Sequence, residues 1–291
     1  MLKAKEIHNR ITSIQATQQI TKALTMIATT KSAKIKKRIA TLLPYTSQFT
    51  QIFEHIAFAP NQPIPTSSFL QSRNVHNILI TFFTTDRGFC GSLNKQVCEK
   101  VKLLYQEYTE ENKRVDLLPI GKKGAIFLQK HQFDYINEYL DLGKDLSLFQ
   151  TRLLSKFILD SYKKNTYDSI ILIYQVNTNT LEQKIKTQQL LPLQSSKNPI
   201  QDQSLDYIYE PSREAIVDYM IPNIITLNLY QALLKATQAE HTARNKAMSK
   251  ATDNADTLLK ELQIAYNRTR QSSITRQIIE IAASAEALKH A

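Results

Sequence analysis

The sequence predicts an α/β fold in which two long terminal helices flank a middle domain built on a mostly parallel sheet. Three observations carry this. All five glycines lie between Gly88 and Gly143. All nine prolines lie between Pro44 and Pro222. Within that turn-rich middle, apolar strand-like runs alternate with segments of helical spacing.

The first element follows from what residues 1–43 lack. They contain neither glycine nor proline, so nothing interrupts a helix there. A helix over 1–58 is expected. Ile7, Ile11, Ile14, Thr17 or Gln18, Thr21, Leu24, and Ile27 or Ala28 recur at helical spacing, an apolar stripe with a polar break at its centre. The last element, over 208–291, follows in the same way, because residues 223–291 lack both breakers. Its seam reads Leu233, Ala236, Glu240, Ala243, Ala247, Ala251, Asn254, Leu258, Leu262, Ala265, with steps of three and four as in a coiled coil. The alanines allow close approach of another helix. The two stripes can pack on each other as an antiparallel pair, or their polar positions can face a third partner.

The middle, over 73–194, reads as a Rossmann-like α/β domain. Strands are expected at Val75–Phe83, Val115–Ile120, Phe133–Tyr139 and Ser169–Val176, with a further strand pair within Leu181–Leu193 at the edge. Helices are expected at Asn94–Asn112, Lys122–His131 and Leu146–Asn165. This alternation gives parallel strands joined by crossovers. Pro60–Ser72 and Gln194–Tyr207 read as linkers.

Composition narrows the function. The chain has 291 residues, 42% hydrophobic and 22% charged, enough apolar content for a core. It has no apolar run long enough to span a bilayer and no signal-peptide core at MLKAKEIHNR. Its two cysteines, Cys90 and Cys98, have no Cys or His partner at metal spacing, so they read as inert thiols of a reducing compartment. The charge is uneven. Residues 1–43 carry nine Lys/Arg against one acidic residue, much of the total of +11. The run KSAKIKKR at 31–38 is either a solvated helix face or a contact for an acidic partner or nucleic acid.

Two glycine turns are the places where chemistry is to be sought. TTDRGFCGSLNK, residues 84–95, follows the first strand and contains Asp86, Arg87, Gly88, Cys90 and Gly91. IGKKG, residues 120–124, repeats the strand–turn–helix order with Gly121 and Gly124. Neither is a P-loop or a dinucleotide fingerprint. The Lys122–Lys123 pair is suited to a phosphate at a helix N-terminus, but two glycines around two lysines are common. No general acid–base pair, metal cluster or cofactor motif stands out. The expectation is no catalytic residue, no cofactor and no metal. Two other classes stay open: a nucleic-acid-binding coiled-coil protein, motivated by the charge, and a small α/β enzyme with helical extensions, motivated by the turns.

Several segments together resemble one family. ITSIQATQQITKALTMIATTK (11–31) resembles the N-terminal signature of the gamma subunit of F-type ATP synthases. TTDRGFCGSLN resembles its Asp-Arg-Gly-x-Cys-Gly-x-Leu-Asn turn, IGKKG its second turn, and ATDNADTLLKELQIAYNRTRQSSITRQIIEIAASAEAL (251–288) its C-terminal signature. Some positions depart: Leu24 stands where methionine is common, Ser92 and Ser284 replace usual glycines, Ala239 replaces a usual serine, and Thr29, Thr30 and Ser32 stand where small or basic residues are usual. The resemblance implies a long antiparallel coiled coil acting as the central rotor of a bacterial enzyme. It implies that this rotor couples proton or sodium flow to ATP synthesis or hydrolysis without a catalytic site of its own. Implied partners are the alpha and beta subunits of the F1 ring, the epsilon subunit and the c-ring of the membrane sector, with no nucleic acid and no direct membrane insertion. The implied location is peripheral, on the cytoplasmic face of the inner membrane. By the same resemblance Leu24, Arg244, Gln271 and Thr275 contact beta subunits, the basic stripe faces their acidic loops, and the two glycine turns belong to the foot.

Overall fold

The structure, a computed structural model, describes residues 2–59, 63–178, 183–195 and 207–289. In chain order the elements are α1 (Leu2–Ala57), β1 (Asn77–Phe83), α2 (Leu93–Glu110), β2 (Arg114–Ile120), α3 (Lys122–Lys130), α4 (Leu142–Asp145), α5 (Leu148–Lys163), β3 (Ser169–Asn177), β4 (Gln183–Leu191) and α6 (Arg213–Lys289). The chain forms two compact units. One comprises residues 1–29 and 244–291, the other residues 30–243.

The larger unit is built on a four-stranded sheet of order β2-β1-β3-β4. β1 pairs in parallel with β2 and β3, and β4 runs antiparallel at the edge beside β3. Strand residues alternate between two cores, as period-two geometry requires. Ile78, Ile80 and Phe82 of β1 face Val97, Val101 and Leu104 of α2 and Leu128 of α3. Leu79 and Phe83 face the opposite side, with Leu154 and Ile158 of α5, Phe53 and Ile56 of α1, and Ile221, Ile225 and Leu229 of α6. The terminal helices therefore form part of the helical layer on one face of the sheet.

Both helices pass through a proline, Pro44 in α1 and Pro222 in α6. A proline removes one backbone donor from the helical ladder. Nearby side chains add bonds to carbonyls: Thr226 Oγ1 donates to Pro222 O at 2.7 Å, Asn223 Nδ2 to Tyr219 O at 3.1 Å, and Ser47 Oγ to Pro44 O at 2.9 Å.

The expected strand at Phe133–Tyr139 is absent. This segment runs beside β2, with Ile136 N donating to Leu117 O and Tyr139 N to Pro119 O, and only Ile120 and Tyr139 make a bridge. Pro119 has no N–H to donate, so a ladder cannot propagate along that side of β2. The expected helix over Leu146–Asn165 is present as α5, Leu148–Lys163, and is preceded by the short α4, which the sequence reading did not expect. Leu146 adopts φ +48 with its side chain in the core, which separates α4 from α5. At the edge, one strand, Gln183–Leu191, occupies the place of the expected pair; residues 181 and 182 lie outside the described residues. The same holds for residues 60–62 and 196–206 of the two linkers.

The smaller unit is a pair of helical segments in antiparallel register. Gln18 Nε2 donates to Asp256 Oδ1. Thr21 Oγ1 and Thr252 Oγ1 are 2.8 Å apart. Asn245 Nδ2 donates to Thr29 Oγ1, and the rings of His8 and Tyr266 lie 5.6 Å apart. On α1 the packed residues are Ile11, Thr21 and Ala28, with Ile7, Ile14, Gln18 and Leu24 half-buried. This is the expected stripe, with Gln18 and Ala28 chosen over Thr17 and Ile27. On α6 the expected seam is met in part: Ala247, Ala251 and Leu262 are half-buried. Met248, Ala255, Leu259 and Tyr266 are covered, whereas Asn254, Leu258 and Ala265 are exposed. The expected seam followed steps of three and four along the chain, while the observed face also includes the Thr252 hydroxyl and the Tyr266 ring.

Candidate functional site

The two glycine turns meet at the carboxyl ends of β1 and β2, joined through Thr84, Thr85 and Asp86. Thr84 Oγ1 lies 3.1 Å from the carbonyl oxygens of Ile120 and Gly121 and accepts from Gly124 N at 2.9 Å. Asp86 Oδ1 accepts from Lys122 N at 3.0 Å, and Thr85 O accepts from Lys123 N at 3.0 Å. The first amides of α3 are thus bonded to the neighbouring turn. The Asp86 carboxylate takes the position at a helix N-terminus that suits an anion. This accounts for the Lys-Lys turn without a phosphate.

Glycine is required where the turns touch. Gly121 has φ +104, and a Cβ there would lie 2.2 Å from Thr84 O. A Cβ at Gly124 would lie 2.8 Å from Thr84 Oγ1. Gly88 and Gly91 face open space, Gly91 in the left-handed region.

The first turn is organised by Asn94. Its Oδ1 accepts from Thr85 N at 3.0 Å, and its Nδ2 donates to Thr85 Oγ1 at 2.8 Å and to Cys90 Sγ at 3.2 Å. Cys90 is buried and packs with Leu93 against Ala239 and Ala243 of α6. Arg87 is exposed, and Phe89, at φ +63, is 72% exposed at the tip. Burial, followed by the charge of Glu99, pushes the Cys98 thiol up to about 12. Cys98 is therefore a packed, unreactive thiol.

A cleft at the ends of β1, β2 and β3 is bounded by Thr84, Asp86, Gly121 and Gln175, and by Thr237 and Glu240 of α6. Open α/β sheets bind ligands in this crevice, at the point where strand order reverses. Here a helix of the same chain borders it. Around this level α6 receives further contacts. Gln183 Nε2 donates to Ala239 O at 2.9 Å, and Asn177 Nδ2 donates to Thr242 Oγ1 at 3.1 Å. Ala239 is fully buried and packs with Cys90 and Leu93.

The remaining sequence-derived residues lie on the helices. Leu24 is half-buried, Arg244 is 9% exposed, and Gln271 and Thr275 are exposed. Thr275 Oγ1 donates to Gln271 O at 3.0 Å, which puts these two on one face. Asp86, Thr84, Gly121 and Gly124 form one cluster and Cys90 a second beside it; Leu24, Arg244, Gln271 and Thr275 belong to the other unit. The sequence reading passed over Thr84, Thr85 and Asn94. Their signal was the hydroxyl pair at the end of an apolar strand, followed nine residues later by an amide at the start of a helix.

Among the described residues no helix is long and apolar enough to cross a membrane, and no group of three or more His, Cys, Asp or Glu residues could hold a metal.

The family model for ATP synthase matches residues 3–288. The chain is similar to the ATP synthase gamma chain of Amoebophilus asiaticus, 37% identical over 98% of each chain. It is similar to that of Cytophaga hutchinsonii, 36% identical over 98% of this chain and 99% of the other. In fold it resembles a chain of the Euglena gracilis mitochondrial ATP synthase (OSCP/F1/c-ring, rotational state 3), with TM-score 0.70 and 19% identity over 98% of this chain and 94% of that one. A chain of the rotor of the same enzyme matches with TM-score 0.66 and 18% identity over 94% and 99%. Because the family model spans nearly the whole chain and gamma chains are 36–37% identical over 98% of it, the chain belongs to the ATP synthase gamma chain family.

Proposed function

We propose that this chain is the central rotor stalk subunit of an F-type ATP synthase. In this reading it couples proton or sodium flow through the membrane sector to ATP synthesis or hydrolysis on a ring of alpha and beta subunits. The observation that carries the reading is the agreement with gamma chains over 98% of both sequences. The geometry of the smaller unit supports it. Hydroxyl and amide groups bond across the helix pair, while Ile20, Met26, Ile27, Ile264 and Ile278 are exposed on its outside. Such an exterior suits a shaft surrounded by other subunits, and polar bonds hold the two helices together within it.

The finer contacts belong to the same proposal. Leu24, Arg244, Gln271 and Thr275 meet the beta subunits, where an asymmetric shaft biases three nucleotide sites unequally. The basic run at 31–38 faces acidic loops of the ring. The turn at Asp86, Arg87, Gly88, Cys90 and Gly91, locked to Gly121 and Gly124, belongs to the foot, near the epsilon subunit and the c-ring. The chain is peripheral, on the cytoplasmic face of a bacterial inner membrane, and carries no catalytic residue or cofactor.

Co-expression with the alpha and beta subunits of the same source tests this. A complex that co-purifies in fixed proportion and hydrolyses ATP supports the reading. Alpha and beta subunits that assemble and hydrolyse ATP at the same rate without this chain overturn it.

A further inference from the structure

One hydroxyl joins three separate elements at the level where the sheet holds the helices. Thr242 Oγ1 donates to Gln238 O of its own helix at 3.0 Å. Having spent its single proton, it accepts from Asn177 Nδ2, at the end of β3, at 3.1 Å. It accepts again from Ser32 Oγ of α1 at 3.3 Å. One donor and two acceptor positions fill the capacity of a hydroxyl. Beside it, Gln183 at the start of β4 binds Ala239 O at 2.9 Å. One turn of α6 is thus held by hydrogen bonds from the β3–β4 edge and by apolar contact from Cys90 and Leu93.

We propose that the Thr242 hydroxyl, with Ser32 and Asn177, is a positioning joint through which the sheet turns both helices together. Apolar burial resists separation but is non-directional. Directional hydrogen bonds at one atom resist rotation of α1 and α6 against each other and against β3.

The proposal rests on the rotor reading, and its test separates the two. The whole ATP synthase carrying this chain is placed in vesicles, and ATP hydrolysis and ATP-driven ion pumping are measured on the same preparation. If the wild-type complex hydrolyses ATP but pumps nothing, the rotor reading fails, and the joint with it. With wild-type pumping established, Thr242→Val removes the hydroxyl and keeps the shape. The expected result is ATPase close to wild type with ions pumped per ATP reduced roughly threefold or more. Thr242→Ser retains the hydroxyl and is expected to restore the wild-type ratio. Ser32→Ala removes one arm from a half-buried position and gives a second reading if Thr242→Val does not assemble. An unchanged pumping-to-ATPase ratio in the assembled Thr242→Val complex, or in Ser32→Ala where the former does not assemble, overturns the proposal. So does a ratio that Thr242→Ser fails to restore.

Discussion

Gly121 lies directly against the backbone of Thr84, so that a methyl group at position 121 would sit 2.2 Å from the Thr84 carbonyl oxygen. Position 121 also has φ +104, which residues with a side chain rarely adopt. Gly121→Ala therefore combines strain and clash, and is expected to destabilise the chain by at least about 2 kcal/mol. Gly91→Ala meets no neighbour and carries only the left-handed cost, about 1–2 kcal/mol. Gly88→Ala, in open space without a left-handed φ, should stay within about 0.5 kcal/mol. Thermal unfolding of the three variants checks this order. Equal shifts would contradict it.

Arg213 is the second structural prediction. Its Nε donates to Ile56 O at 2.7 Å and one terminal nitrogen to Pro63 O at 2.8 Å, which caps the C-terminus of α1 with a cation. Arg213→Met keeps the stem and removes the donors. Bonds from a charged group contribute about 1.5–3 kcal/mol, and their loss should expose the last turn of α1. Faster hydrogen exchange confined to the end of α1 and the start of α6 is expected. Uniformly unchanged exchange there would refute the cap.

Alkaline stability follows from buried acids that stay neutral. Burial and Glu99 hold the Cys98 thiol up to about 12 against an ordinary 9.0, and burial raises the Tyr174 hydroxyl to about 12 against 10.0. For a folded-state pKa raised above the unfolded one, the native state binds more protons. This contribution is complete below the unfolded pKa and is lost as pH rises toward the folded one. Stability should therefore fall between about pH 9 and 12. Cys98→Ala should flatten the start of that fall, near pH 9, and leave the Tyr174 portion in place. Denaturant titrations across this range test it, and an identical slope in Cys98→Ala would contradict it.

Much of this was legible in the sequence, and the failures have physical causes. The distribution of glycine and proline marked both long helices, because breakers act locally. β1, β2 and β3 were legible as apolar runs because they are buried on both faces. Phe133–Tyr139 also has strand-like composition, but Pro119 on the neighbouring strand forbids the ladder, and that is a property of the pairing partner. The short α4 was not foreseen: its separation from α5 rests on Leu146, a residue with no local preference for φ +48, held there by its place in the core. The interlock of the two turns needed Thr84 and Gly121, 37 residues apart, to be brought together by parallel pairing of β1 and β2. The role of Thr242 depends on three elements meeting, which no spacing along the chain encodes.

The proposed ring contacts give a prediction about catalysis. Gln271 and Thr275 are exposed on one face of α6. Gln271→Leu or Thr275→Val should slow ATPase of the reconstituted complex about 2- to 10-fold, the range for one lost neutral hydrogen bond, with assembly intact. Arg244→Ala should do more and also lower the unfolding midpoint, because this side chain is largely buried. Leu24→Lys places a charge on the packed stripe near Lys22 and is expected to weaken ATP synthesis more than ATPase. Wild-type rates of ATPase and synthesis in all four variants would remove these residues from the interface.

The central claim is that this chain turns. Its most direct measurement is single-molecule observation of a bead attached to an introduced cysteine on the exposed face of α2, with the alpha–beta ring fixed to a surface and ATP supplied. The account predicts sustained rotation in one direction that stops when ATP is exhausted. Steady ATP hydrolysis by the same complexes while the bead shows only Brownian motion would contradict it.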